Sequence, residues 1–282
     1  MGLNRSLLGK EYDAQSYVVS AEATMAYACA YNEDNTWFFD VDRPEGILAP
    51  PLFGAVASWL SLMMVVTDAD LNVDILRLVH SQQDMRFFRP IIPGDIINST
   101  AKIVAIEEQP GGESLAVDID CCNQTGEAVQ RITFTAFIRG QGRRPRKRTA
   151  TDETPESEPL YCIAQTIDAD QTFRYAKASG DHNPIHIDEN VAKLAGLPGI
   201  IVHGLCTLAF ASKAIIDSVC EKDPRRLKRL GAGFARPVLP GQTMTTAIWP
   251  DTNAGSYRYE TVNPNGRAVI RPGYAEVATE TV

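Results

Sequence analysis

The chain has 282 residues, 44% of them apolar, a net charge of −8 and an isoelectric point near 5.1. Such a length buries a full core, as one large domain or two small ones, and the acidic balance argues against a general nucleic-acid or anionic-membrane surface. No apolar run reaches the roughly 18 residues of a membrane span, and the six cysteines show no C-x-x-C spacing, so scattered reduced thiols in a cytoplasmic protein are expected rather than a disulfide frame or a zinc site.

The first stretch, MGLNRSLLGKEYDAQSY, lacks the apolar centre of a secretion signal. AEATMAYACAYN then reads as a short helix, and GILAPPLFG, ending at Gly54, leads into an apolar helical segment. FRPIIPGD (Phe88–Asp95) precedes the alternating run IINSTAKIVAI, and ESLAVDIDCCNQTGEAVQRITFTAFIRG pairs two strands across Gln124-Thr125-Gly126. Gly140–Pro159 is nearly devoid of apolar residues, with five positive side chains in Arg143–Arg148 followed by four acids, and reads as an exposed linker. The basic run has the chemistry to meet CoA phosphates or nucleic acid, but a solvated tether is the preferred reading.

The second half repeats the first. DADQTFRYAKASG forms a short helix, in which Asp168 and Gln171 have capping-box spacing and Gly180 suits the C-terminal stop. GLPGIIVHG, ending at Gly204, leads into GLCTLAFASKAIIDSVCEKDP, a long helix predicted to end at Pro224. ARPVLPGQ (Ala235–Gln242) echoes FRPIIPGD, TMTTAIW alternates, and SYRYETVNPNGRAVIRPGYAEV pairs two strands across Asn263–Gly266. One long helix against an antiparallel sheet, made twice, is an α+β arrangement, with the two sheets expected to join edge to edge.

Three of the four histidines lie between Ala178 and Gly204. Asp181 and His186 are too far apart for adjacent turns of one straight helix, but Gly180 ends the helix and Asn183-Pro184 forces a turn that can aim both side chains at one point. An imidazole titrating near neutrality beside a carboxylate can share the protons of a water; the plainer alternative is a buried structural hydrogen bond. Gly204 opens the long helix, where free amides and the dipole favour an anion and no Cβ blocks a carbonyl. His182 reads as an exposed neighbour, His203 as packing at the helix start, Asp188 as a cap for ENVAKLAG, and His80 as a strand or loop histidine with no visible partner.

SGDHNPIHID followed by PGIIVHG resembles the signature of the MaoC-like dehydratases, the (R)-specific enoyl-CoA hydratase or hydratase 2 family; LAPPLFG and FFRPIIPGD resemble, more loosely, the dehydratase-like N-terminal domain often joined to it. The resemblance implies a double hot dog fold, each repeat a curved antiparallel sheet around a long helix: residues 1–140 a non-catalytic repeat, 141–159 a linker and 160–282 the catalytic repeat. It implies catalysis by Asp181 and His186, with the Gly204 amide as the oxyanion donor, and substrate-site roles for Asn183, which would shape the water site, and Ser212, two turns beyond Gly204.

In the first half, YNEDNTWFFD stands for SGDHNPIHID: Asp34 and Asn35 echo the acid and the asparagine, Phe38 or Phe39 replaces the histidine, and Phe53 stands for His203. One active site per chain follows, with Trp37, Phe38, Phe39, Phe53 and Trp59 considered as lining for an acyl tunnel, although aromatics in such numbers are more often core. Arg89 and Arg236 are left out of the site. The expected activity is reversible hydration of a trans-2-enoyl thioester to the (3R)-3-hydroxyacyl thioester, without metal or cofactor. The partner is an acyl-CoA or acyl-carrier-protein thioester, with no nucleic acid or membrane partner and a homodimer left open. The alternatives are a hot dog thioesterase and a non-catalytic acyl-thioester binding module.

Overall fold

In a computed structural model of the chain, residues 2–140 and 157–279 are described. The Arg143–Arg148 run and most of the expected linker lie outside them. The repeats in the sequence become two copies of one layout. The first holds β1 (Gln15–Val18), α1 (Ala21–Cys29), a central helix in two pieces, α2 (Phe53–Ala57) and α3 (Trp59–Val66), then β2 (Leu78–Phe87), β3 (Ile96–Gln109), β4 (Gly112–Cys122) and β5 (Ala128–Arg139). The second holds β6 (Tyr161–Thr166), α4 (Gln171–Ser179), α5 (Glu189–Leu194), α6 (Gly204–Ser218), β7 (Leu227–Phe234), β8 (Thr243–Pro250), β9 (Ser256–Val262) and β10 (Ala268–Val277).

One 10-stranded antiparallel sheet runs β1-β3-β4-β5-β2-β7-β10-β9-β8-β6, so each half contributes a mirrored set and the halves meet edge to edge at β2 and β7. Aligned on the two Arg-Pro pairs, Asp84 corresponds to Gly231, and these two residues face each other across that seam. A local two-fold axis therefore passes between them. Arg229 ties the seam, donating to Asp84 Oδ2 at 2.7 Å and to Glu276 Oε1 at 3.0 Å. Tyr27 and Tyr175, equivalent residues of α1 and α4, meet on the same axis with their hydroxyls 3.0 Å apart.

The sheet wraps the central helices. Cys206 through Ser212 are all buried, as expected of a helix apolar on every side. α6 ends at Ser218, before the predicted stop at Pro224, because Glu221 and Lys222 turn the chain with positive φ. The break between α2 and α3 falls at Ser58, whose hydroxyl donates to the Gly54 carbonyl at 2.8 Å. Among the described residues no helix is long and apolar enough to cross a membrane, and all six cysteines are free thiols.

Candidate active site

Local sequence chemistry builds the loop after α4. Gln171 Oε1 accepts the Asp168 amide at 3.0 Å, the reach-back of a capping box, though the helix itself begins at Gln171. Gly180 stops it with φ 77°, a left-handed conformation that favours glycine. The Asn183 side chain caps the one-turn helix Pro184–His186 by accepting the Ile185 amide at 3.3 Å, and Asp181 Oδ1 accepts the Asn183 amide at 3.1 Å. Asp188 caps α5 as expected.

This turn brings Asp181 and His186 together as the sequence predicted, and adds a third group. Ligand-type atoms of Asp181, His186 and His203 all lie within 4.8 Å of one another. His186 and His203 stack, with ring centroids 3.9 Å apart and planes 27° apart, and Tyr175 packs on the far side of His203 at 5.0 Å. His203 is thus part of the dyad's wall as well as the N-cap of α6.

Backbone carbonyls fix both tautomers. His186 Nδ1 donates to the Ile201 carbonyl at 2.8 Å, leaving Nε2 as a bare lone pair. The Ile201 carbonyl, and not the Asp181 carboxylate, therefore orients this ring. His203 Nε2 donates to the Asp181 carbonyl at 3.0 Å, and its buried Nδ1 has no partner among the described residues. Burial holds the His186 pKa below the usual histidine value, and burial together with the neighbouring His186 holds His203 down at about 3. Both rings are neutral at pH 7.

Two lone pairs and a carboxylate also make a possible cation set. The same three groups can accept the protons of a water.

Gly204 begins α6 and no side chain caps that helix, so its first amides are left for an external acceptor. A Cβ on Gly204 would meet the Phe234 ring at 3.5 Å, an ordinary contact, so packing alone does not demand glycine there. Asn183 is exposed with its carbonyl oxygen committed to the cap. Ser212 is buried, and among the described residues its hydroxyl has no hydrogen-bond partner, the dyad included.

Several first-half expectations change. Phe38 and Phe53 are completely buried and Trp37 lies between the Arg43 and Arg225 guanidinium groups, so these aromatics are packing and not a tunnel lining. Asn35 does match Asn183, since it caps a one-turn helix, Thr36–Phe38, by accepting the Trp37 amide at 3.1 Å. That register puts Phe38 in the place of His186, and Glu33, not Asp34, in the place of Asp181. A hollow of about 400 Å³ opens beside this first-half counterpart, lined by residues including Phe87, Gln130, Leu227 and Lys228. His80 is not partnerless: it bonds Gln83 and packs on Phe134 and Phe234. The sequence carried no signal for it.

A helix wrapped by an antiparallel sheet, made twice and fused along one seam, with an acid and an imidazole at a helix start, defines a double hot dog protein of the hydratase and dehydratase type. Residues 149–264 match the model of the MaoC-like domain, and residues 6–132 match that of the FAS1-like dehydratase domain region. The 3-hydroxyacyl-thioester dehydratase Y of Mycobacterium tuberculosis is 30% identical over 210 residues, 71% of this chain and 72% of that protein. The peroxisomal enoyl-CoA hydratase 2 of Arabidopsis thaliana is 28% identical over 80% of this chain and 77% of its own. The crystal structure of a MaoC-like dehydratase from Phytophthora capsici superposes with a TM-score of 0.85 at 22% identity, covering 99% of both chains. The chain belongs to the MaoC-like dehydratase family.

Proposed function

We propose that the protein is a hydro-lyase that adds water reversibly to a trans-2-enoyl-CoA, giving the (3R)-3-hydroxyacyl-CoA. The observation that carries this reading is the convergence of Asp181 and His186, with its free Nε2, close to the uncapped start of α6. Relatives named as hydratases and as dehydratases support both directions of the same reaction.

Asp181 and His186 Nε2 accept the two protons of one water and so aim its oxygen at the β-carbon. As the C–O bond forms, one of the pair takes a proton from the water, the Gly204 amide holds the charge that collects on the thioester oxygen, and the pair then passes that proton to the α-carbon as the enolate collapses. Positioned acid–base groups supply about 10²–10⁴-fold in rate, and one oxyanion donor about 3 kcal/mol. The chemistry calls for no prosthetic group beyond the CoA or acyl-carrier thioester. Asn183 holds Asp181 in place through its backbone amide, and Ser212, two turns along α6, is assigned to the acyl side of the site.

The reading divides the chain into a scaffold repeat (1–140), a linker (141–159) and the catalytic repeat (160–282), and free thiols throughout favour the cytoplasm. The test is to incubate the protein with crotonyl-CoA and longer enoyl-CoAs, following enoyl-thioester absorbance and free thiol together. Absorbance loss without thiol is the expected result. Thiol release would make the protein a thioesterase, and binding with neither change would make it a binding module.

A further inference from the structure

The fourth histidine lies outside the signature, in the half that has no dyad. His80 sits on β2, the strand that forms the seam, beside a bulge: His80 pairs with Ala136 and Gln82 with Thr135, leaving Ser81 as the extra residue. Bulges re-aim neighbouring side chains and gather next to active sites. Here the Ser81 hydroxyl anchors the bulge on the Thr135 carbonyl at 3.0 Å.

The ring lies between Phe134, at 4.4 Å between centroids, and Phe234, at 4.8 Å. Phe234 is the residue that would meet a side chain placed on Gly204, and Asp181 lies within electrostatic reach of His80, as the weakest of the influences on its ring. One phenylalanine ring therefore links His80 of one half to the helix start of the other.

Its hydrogen bonds settle the tautomer. His80 Nε2 is 3.1 Å from the Gln82 carbonyl, which can only accept, and 2.9 Å from Gln83 Oε1, so Nε2 carries the proton. Nδ1 is then a lone pair, and it has no partner among the described residues. Dense surroundings hold the pKa down at about 4 even though the residue keeps some exposure.

We infer that His80 is a substrate-binding residue of this site: an uncharged acceptor, joined to the start of α6 through the Phe234 ring, which takes a hydrogen bond from an N–H or O–H of the acyl thioester. This rests on the hydratase reading. Two donors fit the chemistry, the amide of the thioester arm and the 3-hydroxyl, and two ligands separate them.

The experiment measures binding of octanoyl-CoA and of (3R)-3-hydroxyoctanoyl-CoA to the full chain by calorimetry, alongside kcat and KM for 2-octenoyl-CoA. His80→Phe keeps a ring between the two phenylalanines and removes the acceptor. His80→Asn places its amide, with an acceptor oxygen, near the former Nδ1, whereas His80→Gln places its amide near the former Nε2 and leaves no acceptor near Nδ1. Weakening of both ligands by roughly tenfold in His80→Phe, with most of it recovered in His80→Asn, identifies the arm amide. Weakening of the hydroxyacyl ligand alone identifies the hydroxyl. Thermal unfolding checks that each variant is folded; if His80→Phe is not, the ratio of His80→Asn to His80→Gln decides.

Unchanged binding of both ligands in a folded His80→Phe, or no advantage of Asn over Gln, would overturn the inference. A wild-type protein that hydrates 2-octenoyl-CoA while His80→Phe is unimpaired sinks His80 alone. A wild-type protein that binds both ligands and hydrates nothing sinks the hydratase reading and leaves the binding test standing.

Discussion

The two halves share a scaffold and differ at the chemistry. In the second, Asp181 accepts the Asn183 amide, Asn183 caps a one-turn helix, and that helix delivers His186. In the first, Glu33 accepts the Asn35 amide at 3.0 Å, Asn35 caps a one-turn helix, and that helix delivers Phe38. The acid is present in both, but Glu33 is claimed by Lys213, which reaches across from α6 at 3.1 Å. Phe53 stands for His203, and the space over Gly54 is filled by Gln130, which donates to the Pro51 carbonyl at 2.8 Å. The same turn geometry delivers a buried phenylalanine in one half and an imidazole beside a carboxylate in the other. A carboxylate with a lysine partner and no imidazole cannot activate water.

The largest effects separate the halves by activity. Asp181→Asn and His186→Gln should each lower kcat for an enoyl-CoA by about 10³-fold or more, with thermal unfolding nearly unchanged. Glu33→Gln should leave kcat within about threefold. A Glu33→Gln protein as dead as Asp181→Asn would give the first half a chemical role.

Glu33→Gln should instead show in stability. The Glu33 side chain is 1% exposed and that of Lys213 14%; breaking such a pair costs about 3 kcal/mol, the low end for a buried pair because Lys213 keeps Asp34 and Asp217. Urea unfolding reads this directly. Replacing both partners, Glu33→Leu with Lys213→Met, should recover most of the loss. Failure to recover would show that the loss lies in the other bonds of the pair, the amides that Glu33 accepts and the further carboxylates that Lys213 holds.

The glycines give a crossed test. A Cβ on Gly54 would stand 1.7 Å from Gln130 Oε1, so Gly54→Ala must push Gln130 aside and lose its bond to Pro51, costing about 1 kcal/mol with activity kept. Gly204→Ala meets only ordinary contacts and should be neutral or slightly stabilising, while kcat/KM drops because the thioester carbonyl can no longer approach the amide closely. Equal activity losses in both variants would argue that the glycines are scaffold features and not a site and its relic.

Much of this was legible in the chain because it is written in local chemistry. Gly180, Asn183-Pro184 and the glycine at the start of α6 are turn and terminus signals, readable from residue type and spacing alone. The Arg-Pro repeats marked the two halves as equivalent, and each opens a turn after a strand that the structure places at the seam. What escaped depends on the sheet. The bulge that turns His80 depends on its register with β5, and no spacing along the chain reports that. The choice of Asp34 over Glu33 failed for the same reason, because the capping register and not the residue type decides which acid is equivalent. The stacking that draws His203 into the dyad comes from two loops meeting in space. The aromatics of the first half could be read as lining or as core, because burial cannot be told from access in sequence.

Acid should weaken the second half's chemistry and the fold together. His203 and His80 titrate near 3 and 4 when folded, and His186 below its ordinary value. Unfolded, all three bind a proton near pH 6.5, so between about 6.5 and 3 the unfolded state holds more protons and stability rises with pH. The expected result is progressive destabilisation as pH falls through that window, with the acid limb of kcat/KM lying below 6.5 and moving in His186→Gln. The His203→Phe and His80→Phe variants should each flatten the stability slope. A slope unchanged by both would show that these imidazoles are better solvated than their packing suggests.

The smallest effect concerns the contact that belongs to both halves equally. Tyr27 and Tyr175 share one hydrogen bond on the local axis, and burial holds both hydroxyls un-ionised by raising their pKa values. Tyr27→Phe or Tyr175→Phe removes that bond and leaves one buried hydroxyl unpaired, about 1 kcal/mol in either case. The double variant should cost little more than either single one, because both changes remove the same interaction. Tyr175→Phe keeps the ring against His203, so kcat should stay within about twofold. A larger fall in kcat for Tyr175→Phe than for Tyr27→Phe would mean that the axis reports unequally to the two sides, and that the catalytic half reads its hydroxyl through His203.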